Sequence, residues 1–166
     1  EAVAHGELVK ATDGFAHPLS STVFRGRWRH RDVAVRRMAD TDDFRREVDV
    51  LLRIDHKHVN PLLAFSLGDM LLVAFPYLSN GSLRDALAGD TAAAALSARA
   101  RLRALGDAGR ELVYLHGLSI CLGDVCAYTI LLDAKQRARL CVAGKGRCCL
   151  VDGSCATYPD RPPRRG

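Results

Sequence analysis

Six cysteines and one run of basic residues are the side chains whose types and spacing offer chemistry here. Cys121, Cys126, Cys141, Cys148, Cys149 and Cys155 all fall in the last third of the chain, where clustered thiolates can hold zinc or pair as disulfides. None forms a C-x-x-C pair and no His is spaced to complete a zinc site, so no metal is expected. Cys121, Cys126 and Cys141 sit inside apolar, strand-like stretches, where a free thiol acts as a small hydrophobe. Reduced, buried cysteines of a cytosolic protein are the expectation. Arg25, Arg27, Arg29, His30 and Arg31 form the dense part of a net charge of +5, and a basic balance can mark an anionic partner. No aromatic residues interleave with them as a base-stacking platform requires. A solvated Arg-rich surface is expected, with a basic nucleic-acid-binding domain as an alternative and no nucleic-acid partner in the favoured reading.

The elements that must position any site follow from periodicity. TVFRGRW (22–28) and RDVAVRRM (31–38) alternate as strands about the break Arg29–His30, which predicts an antiparallel hairpin. TDDFRREVDVLLRI then carries capping candidates Thr41 and Asp42, followed by Phe44, Val48, Leu51 and Leu52 at helical spacing. PLLAFSL (61–67) and MLLVAF (70–75) are further strands split by Gly68–Asp69, and SNGS (79–82) leads into a short helix ending near Gly89. Ser97 can cap a long helix through His116, with Leu102, Leu105, Ala108, Leu112 and Leu115 as its inward face. TILLD (129–133) and RARLCV (137–142) read as a paired hairpin. From Gly144 the pattern decays, and Pro159, Pro162 and Pro163 point to a disordered end over 145–166. The fold class is α+β in two lobes. At 166 residues the chain can hold one real core, and no apolar run approaches the ~20 residues of a membrane span. Without a signal pattern or initiator Met at EAVAHGELVK, an excised or incomplete chain is expected, located in the cytoplasm.

Several of these segments, taken in order, resemble the receptor-like/Pelle branch of the protein kinases over about residues 7–144. ELVKATDGF is similar to the lead-in of plant receptor-like kinase domains, FRREVDVLLRIDHKHVNPLLAF to the family's αC helix and following strand, and LLVAFPYLSNGSLRDAL to its hinge and next helix. LSARARLRALGDAGRELVYLH resembles the long large-lobe helix, and LGDVCAYTILLD and RLCVAGKGR stand where the catalytic and metal-binding loops belong. STVFRGRWRHRDVAVRRM also resembles LysM-type receptor kinases. The resemblance implies a kinase-like two-lobe fold: a small lobe of antiparallel sheet plus αC at about 13–75, and an incomplete, mostly helical large lobe at 79–144.

It also implies a degenerate centre. Phosphoryl transfer is mostly positioning and charge neutralisation, so each replaced group has a definable cost. The three glycine positions of the phosphate loop fall on Ala16, Pro18 and Ser21; side chains block close approach, and Pro18 has no N–H. Arg36 stands for the strand lysine and Glu47 for its αC partner, so a pair between them would set the helix. An Arg fork does not replace a compact ammonium against two phosphates. Phe75 and Tyr77 take the gatekeeper and hinge positions beside an adenine. Asp124 matches the catalytic-loop aspartate, preceded by Leu122 and Gly123 in place of His and Arg, and is expected to be retained without a working role. Thr129 and Val142 replace the two metal ligands, and of the DFG triplet only Gly144 survives, with Ala143 in place of Phe. Valine offers Mg²⁺ no oxygen, and losing that ligand removes on the order of 10³-fold or more in rate. No activation loop, APE motif or later large-lobe helices follow.

The expected function is a catalytically inactive kinase-like module that binds a protein, an active receptor-like kinase or signalling adaptor, through surfaces such as αC at Arg45. No cofactor is expected. The alternative is a weak serine/threonine kinase or nucleotide-binding domain, which would take ATP and Mg²⁺.

Overall fold

The computed structural model describes residues 1–89, 96–122 and 125–142, and the backbone of 148–150. Val23–Trp28 (β1) and Arg31–Met38 (β2) pair antiparallel, Val23 opposite Arg36 and Trp28 opposite Arg31. Arg29 and His30 between them have φ of 46° and 65°. Left-handed backbone at both central positions matches a two-residue hairpin to strand twist, at a steric cost for non-glycine residues. Ala64–Leu67 (β3) and Leu71–Pro76 (β4) complete a sheet of order β1-β2-β4-β3.

One face of this sheet is covered by a helix that periodicity does not announce, His5–Ala11 (α1). Its single buried apolar side chain, Leu8, packs with Trp28, Val33, Val35, Leu72 and Ala74, and Glu7 accepts a 3.0 Å hydrogen bond from the Trp28 indole. Gly26 is required beneath its end: a Cβ there would meet the Ala11 carbonyl oxygen at 2.3 Å. The other face takes Thr41–Leu52 (α2), which buries Phe44, Glu47, Val48, Val50 and Leu51. Its cap is Asp40, whose carboxylate accepts from Asp43 N at 2.8 Å, one residue before the expected Thr41 and Asp42. Leu52, expected on the apolar face, is exposed.

A second layer continues the core of Phe44, Val73 and Phe75 downward. Leu83–Ala88 (α3) is held by a capping box between Ser82 and Asp85 and ends at Gly89, φ 79°. Ala98–Gly117 (α4) starts from Ser97, whose hydroxyl accepts from Ala100 N. Ile130–Leu132 (β6) pairs with Ala138–Leu140 (β7), both shorter than expected, with β7 against α4 and β6 against α3. Ile120–Leu122 (β5) pairs with Cys148–Leu150 (β8). The expectation of disorder throughout 145–166 is thus corrected at 148–150, where the backbone is a strand. Residues 151–166 lie outside the described residues.

Two further expectations are corrected. Cys121 is exposed, because alternation along β5 buries Ile120 and turns the thiol outward. The inward face of α4 is Ala100, Ala104, Asp107, Ala108, Glu111 and Leu115. Leu102 and Leu105, expected to be inward, are 71% and 58% exposed. The small alanines let β6–β7 approach, and two buried carboxylates bind that hairpin.

Candidate functional site, a kinase-type cleft

Register defines which residues share the inner face of the sheet. Val23 lies opposite Arg36, and Arg36 opposite Val73; Arg25 lies opposite Ala34, and Ala34 opposite Phe75. Directly opposed residues project to one side, and α2 covers that side. There Arg36 donates to Glu47, both side chains nearly buried. Burial pushes the Glu47 carboxyl up against the opposing pull of Arg36. Arg36 Nη2 also lies 3.5 Å from Met38 Sδ, while its buried Nε has no hydrogen-bond partner.

Phe75 is buried in the core with Phe44 and Val48, and Tyr77 follows one residue beyond β4. Tyr77 N donates to Asp32 O at 3.0 Å, and the Arg25 guanidinium sits 4.6 Å over its ring. Arg25 also reaches Asp32 at 3.2 Å. A basic residue from β1 therefore lies across the hinge tyrosine, a contact between residues 52 positions apart that one-dimensional patterning cannot reveal.

The segment in the phosphate-loop position is a short turn closed on itself. Leu19 N and Ser20 N both donate to Val23 O, at 2.8 and 3.1 Å. Ser20 Oγ accepts from Thr22 N and Val23 N, at 3.4 and 3.2 Å. A phosphate cradle needs successive N–H groups free and convergent; here four are engaged internally and Pro18 has none.

At the other end, Val142 is buried in the core. Thr129 Oγ1 donates to Cys126 O and accepts from Cys126 N, both at 3.1 Å, closing the loop before β6. Asp124, with Gly123, Ala143 and Gly144, lies outside the described residues. A cleft of about 450 Å³ opens beside Tyr77, lined by Lys10, Asp13, His17, Arg25 and Arg27 among others. A second of about 370 Å³ runs from Tyr77 to Asp133 and Arg139. Of the four nucleotide-site positions, Arg36 and Glu47 are joined, Phe75 is buried in the core on the same face of the sheet, and Tyr77 alone lines either of these two clefts. Among the described residues no group of three or more His, Cys, Asp or Glu is placed to hold a metal ion.

The strongest electrostatic feature went unread in the sequence. Asp107, fully buried, accepts from Arg137 Nε and Nη2 at 2.6 and 2.7 Å and also from Arg110. Burial alone would raise its carboxyl, but the bonds from Arg137 and Arg110 hold it at about 2. One turn on, Glu111 Oε2 accepts from Leu140 N at 2.7 Å while Oε1 has no partner. Burial pushes that carboxyl up to about 8, although the Leu140 bond opposes the rise. Burial also lowers His58, which faces Asp107 and Arg137. These groups clamp β7 onto α4. Two acids four residues apart on a helix face otherwise made of alanine and leucine were the available signal.

The sequence comparisons agree with this architecture. The model of the protein tyrosine and serine/threonine kinase family matches residues 14–150, and the chain belongs to that family. It is 29% identical over 166 residues to a probable LRR receptor-like serine/threonine-protein kinase of Arabidopsis thaliana, an alignment covering 92% of this chain and 19% of the relative. The receptor-like serine/threonine-protein kinase NCRK of the same plant is 34% identical over 172 residues, covering 90% of this chain and 30% of that protein. The chain thus spans a fifth to a third of the length of these relatives. Among the described residues no helix is long and apolar enough to cross a membrane.

Proposed function

We propose that this chain is a catalytically inactive kinase-like domain that works by binding a protein partner in receptor-like kinase signalling. The observation that carries this reading is the closed turn at 19–23, whose N–H donors are engaged by Val23 O and Ser20 Oγ. Val142 in the core and Thr129 bonded within its own loop support it at the metal positions. The buried Arg36–Glu47 pair favours a second reading, a nucleotide-binding domain with impaired metal chemistry, because it holds α2 against the sheet as an ATP-bound kinase requires.

Thermal unfolding with ATP or ADP, in Mg²⁺ and in EDTA, separates the two. Ligand at a hundred times its Kd stabilises the folded state by ~2.7 kcal/mol, which moves the midpoint by several degrees. The inactive reading expects one cooperative transition unmoved by nucleotide. A Mg²⁺-dependent upward shift would support the second reading and sink the first.

A further inference from the structure

Strand β1 is an edge of the four-stranded sheet, and its register shows which backbone groups that edge offers. Trp28 and Arg31 close the two-residue hairpin as a hydrogen-bonded pair, so Gly26 and Phe24 bond to β2 in their turn. The residues between them, Val23, Arg25 and Arg27, direct N–H and C=O away from β2. Two of these are met by the preceding segment: Arg25 N donates to His17 O at 2.8 Å, and Val23 O accepts from Leu19 N and Ser20 N. Arg25 O, Arg27 N and Arg27 O have no partner among the described residues. This opening is made inside the chain. Residues 12–22 are all described, fold into turns and reach along the edge only as far as Arg25. Glu1, at the start of the chain, lies at the opposite edge, where its N donates to Leu63 O and its O accepts from Phe65 N.

Charge beside the bare groups identifies what fits them. The cleft of about 450 Å³ runs along this edge, with Lys10, Asp13 and His17 on one side and Arg25, Arg27 and Asp32 on the other. Asp32 is bonded to Arg25 at 3.2 Å, and Asp13 lies 3.9 Å from His17. Lys10 and Arg27 are exposed and have no acidic partner among the described residues, and the hairpin end adds His30 and Arg31 in the same condition. A second copy of the chain would set this basic edge against itself. Residues 143–147 carry Lys145 and Arg147, and residues 151–166 carry Arg161, Arg164 and Arg165 against Asp152 and Asp160, so both add like charge. Residues 90–95 hold one acid, Asp90, and are tied at both ends to the second layer, through Gly89 and the buried Leu96.

We propose that the β1 edge at Arg25–Arg27 is a docking site for an extended segment of a partner protein, rich in Asp and Glu, that adds to the sheet as a strand. Arg27 N and O form a paired set of main-chain bonds with it, and Arg25 O accepts one more. Successive side chains of an added strand fall on opposite faces. One set lies toward Lys10, on the α1 side where Gly26 meets Ala11, and the other toward Arg27. Main-chain bonds give the affinity, and the basic rim sets the choice of partner and the on-rate. The inference rests on the partner-binding reading above and names the surface that reading leaves open.

The test uses the 166-residue chain and two fluorescent eight-residue peptides, one alternating Val with Glu and one alternating Val with Lys. The Glu peptide should bind at least tenfold tighter at low salt, with the preference shrinking as salt rises. In amide hydrogen exchange the Arg27 N–H should be open in the free chain and at least tenfold slower once the Glu peptide is bound. Lys10→Gln with Arg27→Gln should bring the two peptides within twofold of each other and leave the unfolding midpoint unchanged, since both side chains are exposed. Equal binding of the two peptides by the unmodified chain overturns the proposal, and so does binding that leaves the Arg27 amide open. An Arg27 amide already slow in the free chain also overturns it, in favour of the chain's own segments, or of a second copy if the protection grows with protein concentration. Stabilisation by ATP sinks the inactive reading and moves none of these readouts.

Discussion

Helices α2 and α4 carry comparable apolar content, yet α2 buries four large apolar side chains and α4 buries only Leu115, leaving Leu102, Leu105 and Val113 exposed. In α2 the inward residues are Phe44, Val48, Val50 and Leu51, and the one buried acid, Glu47, meets Arg36 across the sheet. In α4 the inward contacts are made through three alanines, Leu115, and Asp107 and Glu111, which meet Arg137 and the Leu140 amide. The lesson concerns what fixes a helix in place. Apolar area drives α2 onto the sheet, and a solvent-exposed Leu52 is incidental to it. For α4, Leu115 anchors the C-terminal end in the core, while directed polar contacts from Asp107 and Glu111 fix the rotation of its middle and leave Leu102 and Leu105 outside.

Three measurements can break or sharpen that contrast. Phe44→Ala removes the largest α2 anchor and should destabilise the chain by ~3–5 kcal/mol in urea unfolding; a loss under ~1 kcal/mol would show that α2 is also held by its ion pair. The second concerns pH. Folded Glu111 keeps its proton up to about 8, whereas the unfolded chain releases it near the ordinary 4.5. The folded state therefore binds the extra proton between those values. Its contribution is complete below 4.5 and lost as pH rises to 8, at up to ~1.4 kcal/mol per pH unit. Glu111→Gln should flatten this decline, and a slope that survives the substitution would move its origin elsewhere. The smallest effect is expected from Leu102→Ala with Leu105→Ala, whose unfolding free energy should stay within ~0.5 kcal/mol. A loss comparable to Phe44→Ala would mean the outer face of α4 is covered in solution.

Much of the fold was legible because strand signals are local. Alternation in 22–28 and 31–38 and the apolar run at 70–75 placed β1, β2 and β4 within a residue or so, and Ser97 and Gly89 marked helix ends by their own chemistry. The inward face of α4 was misread for a physical reason. Periodicity weighs leucine over alanine, but which face is buried depends on Arg137 and Leu140, some 30 residues away. Helix α1 escaped because one leucine and a distant tryptophan hold it. At the candidate site, Arg36 and Glu47 were identified from spacing within the family pattern, and the structure joins them. The Arg25–Tyr77 stack and the closed turn at 19–23 depend on three-dimensional register, which spacing does not encode.

A last consequence follows from how the sheet ends. β3 is a boundary strand, and the first residues of the chain lie along it: Val3 N donates to Phe65 O and Phe65 N to Glu1 O, both at 2.9 Å. At the opposite boundary, Arg25 N donates to His17 O, and Pro18 bridges Phe24. Bare boundary strands template pairing between molecules. Two short segments thus lie along the open edges of the small-lobe sheet and leave less bare backbone there for another molecule to pair with.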